Sequence, residues 1–124
     1  MDDVPVDSAA FRAALRREKI AARQAQPEAV RRDAEMRLLA RLGAMLLPRP
    51  PGVVAFCWPI RAEVDCRPLV AELLAAGWRA AMPTVTAPAA PMEFRAWSPQ
   101  TPMSVDPYGI TIPAPTEQRM PDVV

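Results

Sequence analysis

The sequence predicts an α/β domain preceded by an Arg-rich helical arm. Two helical periods fill residues 8–47. An apolar run, Val53 to Trp58, has the shape of a buried strand and breaks at Pro59. A second apolar run, Trp78 to Val85, follows a helix-length segment, a connection short enough for a parallel βαβ unit. With 124 residues, 51% of them apolar, the chain can bury one modest core.

Asp7 or Ser8 can cap the first helix, which runs over roughly residues 8–25 with Phe11, Leu15 and Ile20 as a thin apolar stripe. Arg12, Arg16 and Arg23 recur at helical spacing beside Lys19. Pro27 suits the first turn of a second helix ending near Leu47, with Val30, Ala34, Leu38, Leu42 and Met45 as its expected buried face. The run from Pro48 to Gly52 forbids helix and leads into the first strand. The third helix spans Cys66 to Ala76, with Pro68 in its first turn, Leu69, Leu73 and Leu74 inward, and Gly77 as its C-terminal stop. Nine of the sixteen prolines lie at or after Pro83, so the remainder reads as loops and short extended pieces. Among these, Met92 to Trp97 alternates like a strand. Asp106 to Ile110 reads as a turn before extended Thr111-Ile112-Pro113. Pro121-Asp122-Val123-Val124 has the pattern that opens another buried strand, and the expectation is a chain cut short there.

Composition narrows the function classes. The net charge of +1 gives no reason to expect a nucleic-acid or acidic-membrane partner. No histidine is present, which excludes a His-based triad or metal site. Two cysteines, Cys57 and Cys66, are too few for a disulfide framework and favour a reduced, cytoplasmic setting. The acidic start, Met1-Asp2-Asp3, is no signal peptide, and no apolar run approaches the roughly 18 residues that span a bilayer. Gly-rich phosphate loops, Cys-x-x-Cys pairs and nucleophile elbows are missing. What stands out is Glu63. Ligands in open α/β sheets bind outside the carboxyl ends of strands, and Glu63 follows the first strand there.

The run Trp58-Pro59-Ile60-Arg61-Ala62-Glu63-Val64-Asp65 closely resembles the 5-formyltetrahydrofolate cyclo-ligase (5,10-methenyltetrahydrofolate synthetase) family, with Ala62 where that family usually has Gly. Four further segments fit in order: Arg12 to Glu18, Gly77 to Pro83, Met92 to Trp97, and Tyr108 to Pro113. The resemblance covers roughly residues 8–124. It implies one partial domain over 1–124, with a disordered start (1–7), a helical arm (8–47) and an α/β portion (53–124). The fold it implies is three-layered and Rossmann-like, with a mostly parallel sheet.

The implied activity is an ATP- and magnesium-dependent ligation. 5-Formyltetrahydrofolate becomes 5,10-methenyltetrahydrofolate, with release of ADP and phosphate. Phosphorylation of the formyl oxygen makes it a leaving group, and N10 of the same folate attacks the activated carbon. The protein then chiefly positions the groups and stabilises charge. Carried over by the resemblance, Arg12 and Arg16 contact the nucleotide, the first commonly Lys in the family. Trp58, Glu63 and Tyr108 contact the folate, and Phe94 and Trp97 are further candidates for the pocket wall. The charge pattern alone reads Arg12 and Arg16 as a solvated helix face, Trp58 as core and Glu63 as a helix N-terminal carboxylate. The family's Gly-rich loop, with its magnesium-holding Asp, has no match in residues 1–124, so the chain is expected to turn over little by itself. The implied partner is the small-molecule folate, bound by a cytoplasmic monomer with no nucleic acid and no membrane. The alternative is a non-catalytic folate-binding or interaction protein of the same descent. An RNA-docking role for the Arg-rich helix is disfavoured because basic and aromatic residues do not interleave.

Overall fold

The computed structural model describes residues 7–124. The segment 1–6, most of the stretch expected to be disordered, lies outside the described residues.

Helix α1 spans Ser8–Ala25, and Asp7 caps it by accepting the Ala10 N–H at 3.1 Å. No residue of α1 is buried. Its expected stripe is mostly solvated: Phe11 and Leu15 are 59% and 39% exposed, and Ile20 is half-buried. The arm is instead tied to the body by Arg23, whose Nε donates to the Arg61 carbonyl at 3.0 Å. Helix α2 spans Glu28–Leu46. Its inward face is rotated from the expected one, of which Leu42 packs against the core. Gly43 and Leu46 are buried and Leu39 and Leu42 pack against the core, while Val30, Leu38 and Met45 are exposed. The cause is local: the later turns of α2 meet helix α3 (Arg67–Ala75), Gly43 lying against Leu69, and the stripe that faces α3 is set by that contact.

Strand β1 (Val53–Ala55) runs parallel to β2 (Arg79–Thr84), with Val54 opposite Ala80, and α3 forms the crossover between them. Gly77, at φ +93°, supplies the left-handed residue that ends α3, as its sequence position predicts. Strand β3 (Glu93–Trp97) returns antiparallel to β2, with Ala96 opposite Ala81. A separate antiparallel pair joins β4 (Met103–Val105) to β5 (Thr111–Pro113) and packs against β2 and β3. The sheet is therefore mixed, and the expectation of a mostly parallel, Rossmann-like sheet is corrected among the described residues. A parallel return needs a long crossover. Residues 85–92 hold no helix, so β3 can only come back antiparallel; a tight turn does the same for β4 and β5. One further parallel contact comes from Val123, which bridges to Val54 at the free edge of β1.

The core gathers Leu46, Leu69, Val70 and Leu73 from the helices with Val54, Phe56, Trp78, Ala80 and Met82 from the sheet side. Phe56 meets Trp97 edge to face, with ring centroids 5.0 Å apart. This core holds the end of β1 and the start of α3 at a fixed separation. The loop between them carries the candidate site. No helix among the described residues is long and apolar enough to cross a membrane.

Candidate functional site

Pairing with β2 continues one residue past β1, where Phe56 N–H donates to the Ala81 carbonyl at 3.1 Å. Pairing ends there, short of the expected strand end at Trp58, and after Pro59 the chain turns sharply. Glu63 N–H donates to the Ile60 carbonyl at 2.9 Å, and Arg61 and Ala62 sit at φ +48° and +61°. Two successive positive φ values are the pattern of a type I′ turn, which favours glycine. The Glu63 carboxylate closes the same turn, Oε1 accepting the Ile60 N–H at 3.0 Å. Its Oε2 accepts nothing among the described residues, and the side chain is exposed.

Trp58 is half-buried and packs against the core. Arg67, at the start of α3, lies over its ring with Cζ 4.4 Å from the centroid. Asp65 holds that guanidinium in a two-point grip, at 2.8 Å from Nε and 2.9 Å from Nη2, and also accepts the Arg67 N–H at 3.0 Å. The Asp65 N–H in turn donates to Glu35 of α2 at 2.6 Å. The Arg67 hydrogen bond holds the Asp65 carboxyl below the usual carboxylate range against the opposing effect of burial, and raises Arg67. Burial pushes up the Cys57 and Cys66 thiols at the two ends of the loop, with nearby carboxylates adding to it, Glu63 at Cys57 and Asp65 at Cys66. Both are therefore neutral at pH 7.

Three clefts meet at Glu63. The first, of about 170 Å³, brings Trp58 and Glu63 together with Met82, Asp106 and Ile112. The second, of about 300 Å³, adjoins it through Cys57, Glu63 and Pro83. The third, of about 260 Å³, lies between Glu28, Arg31 and Glu35 of α2 and the Arg61–Glu63 turn. The first is below the roughly 300 Å³ at which ligand sites usually begin, and the second is at that size.

The structure thus joins Trp58 and Glu63 and leaves the other candidates elsewhere. Tyr108 is 64% exposed and lines a separate small cleft with Val85, Thr86 and Pro88. It is held there by buried Asp106, which accepts the Tyr108 and Ile110 N–H groups at 2.8 and 2.9 Å. Trp97 is spent on Phe56, and Phe94 sits in the β2–β3 ladder opposite Pro83. Arg12 and Arg16 are exposed on α1, away from the Glu63 clefts, and Arg12 Nε donates to the Ser8 carbonyl at 3.2 Å. Among the described residues no group of three or more His, Cys, Asp or Glu side chains could hold a metal ion. Sequence reasoning missed Asp65, Arg67 and Glu35. The readable signal was an acid two residues before an Arg at a helix start; Glu35 lies thirty positions away and had none.

No protein-family model matches the chain, and no curated protein matches it. Among solved structures, the chain is similar to the NMR structure of Aquifex aeolicus 5,10-methenyltetrahydrofolate synthetase, with a TM-score of 0.66 and 23% identity over 86% of this chain and 54% of that one. At this identity the likeness establishes a shared fold. The chain spans about half the length of the solved structure that it matches.

Proposed function

We propose that this chain binds a reduced folate of the 5-formyltetrahydrofolate type, and that its fold serves the ATP-dependent closure of that substrate to 5,10-methenyltetrahydrofolate. The observation that carries this reading is the joint placement of Trp58 and Glu63 in one cleft at the carboxyl end of β1, on a fold shared with a 5,10-methenyltetrahydrofolate synthetase. A pterin ring offers a flat face and a row of N–H donors. An indole can cover the face, and a carboxylate with an unengaged oxygen can accept from the donors. Arg12 and Arg16, exposed one helical turn apart, would meet the phosphates of ATP. A second reading uses the Trp58–Glu63 cleft alone: a folate binder without turnover.

Calorimetric titration of the 124-residue chain with 5-formyltetrahydrofolate tests the proposal. Binding is expected, and Glu63→Gln should weaken it about tenfold or more, the size of a hydrogen bond to a charged group. Glutamine keeps the acceptor that closes the Ile60 turn, so the loss reports the charge. Equal affinity in the two proteins removes Glu63 from the site. Adding ATP and magnesium separates the two readings. The chain by itself should form little 5,10-methenyltetrahydrofolate by absorbance, and sustained turnover would exclude the binder reading.

A further inference from the structure

Trp58 carries a load on one side that the ligand reading does not use. Arg67 stacks on its ring, yet Arg67 lines neither of these two clefts at Glu63, whereas Trp58 lines the smaller one. The guanidinium therefore covers the indole from outside that cleft. Its plane is fixed, because Asp65 grips both Nε and Nη2, and Asp65 is fixed at its backbone by Glu35 from α2. A chain of contacts thus runs from α2 through the loop and the start of α3 to the indole. Exposed ion pairs contribute little to stability, and side-chain exposures of 41% for Arg67 and 30% for Asp65 place this pair close to that class. What such a pair can do is hold a planar group in one orientation.

We infer that Glu35, Asp65 and Arg67 are positioning residues that act through Trp58, clamping one indole face so that the other is presented, pre-oriented, to a planar ligand ring in the Glu63 cleft. The inference rests on the folate reading for the identity of that ring. A free indole on a loop would lose rotamer entropy on stacking; a clamped one has lost it in advance. Lysine in place of Arg67 would keep the charge but lose the plane and the two-point grip.

A double-mutant cycle tests this. With Trp58 present, Arg67→Ala should weaken 5-formyltetrahydrofolate binding about fivefold, the size of one stacked cation, and Arg67→Lys should not restore it. In a Trp58→Leu background the same changes should alter affinity by less than about twofold. Equal losses in both backgrounds, or none in either, overturn the inference. A ligand-free measurement keeps it separate from the folate reading. Trp58 emission, obtained as the difference between each protein and its Trp58→Leu counterpart, should be quenched by acrylamide about twice as efficiently in Arg67→Ala and Asp65→Asn, because the ring loses its cover. Should the unmodified chain bind no folate, the folate reading fails while quenching still decides the clamp. Unchanged quenching in both variants rejects it.

Discussion

At Ala62 a side chain occupies a backbone conformation that suits glycine. Its φ of +61°, beside Arg61 at +48°, places two L-residues in the left-handed region, which costs on the order of 1 kcal/mol each. The turn persists because Glu63 closes it twice against Ile60, through its N–H and its carboxylate. Strain at a turn that aims a carboxylate into a cleft is the association expected of a functional loop. Ala62→Gly should relieve it, raising stability by about 0.5–1 kcal/mol after the entropy glycine returns to the unfolded chain. A higher urea midpoint at unchanged slope would show this. The sequence exposed this site partially. Pro59 and Glu63 were readable, and the resemblance flagged Ala62 as a departure. The sign of its φ and the Arg67 cover on Trp58 belong to the folded loop.

Among elements, α1 and α3 are opposites with similar propensity. Both are built largely from good helix formers, Ala and Arg in α1 and Leu and Ala in α3, and both were legible from period and caps, α1 to the residue at each end. Their energetic roles were not legible, because a stripe in the sequence says which face is apolar and not whether anything meets it. Leu73 of α3 is fully buried in the core cluster, whereas Phe11 of α1 is 59% exposed. Leu73→Ala should therefore destabilise the chain by about 3 kcal/mol, and Phe11→Ala by less than about 0.5 kcal/mol. Native-state hydrogen exchange should show the same contrast, with α1 amides opening at far lower free energy than those of α3. Equal protection would mean that α1 is held by more than Asp7 and the Arg23 bond to Arg61.

On the scale of the whole molecule, the sheet is completed by residues far apart in sequence. Asp122 accepts the Val53 N–H on Oδ2 at 2.8 Å and returns its own N–H to the Val53 carbonyl at 2.8 Å. Gly52 makes room for this: a Cβ there would fall 2.6 Å from the Asp122 carboxylate oxygen. Gly52→Ala should push that carboxylate away and leave the Val53 N–H without its partner, at a cost of about 2 kcal/mol. Asp122→Ala combined with it should cost less than the two single changes summed, since both remove one contact. Chemical denaturation of the four proteins checks the cycle.

The sequence by itself determined the helices, the βαβ unit and the position of Glu63 in the loop after the first strand, though that strand ends at Ala55 and not at Trp58. Each of these follows from local rules: period, caps, proline geometry and the length a crossover needs. Tertiary structure alone decided the rest. It turned α2 to its Leu39–Leu46 face, returned β3 antiparallel, separated Tyr108 from the Glu63 cleft, and set Arg67 over Trp58. Those outcomes depend on which surfaces meet across long stretches of chain. Packing and backbone pairing settle that jointly, and no local pattern encodes it.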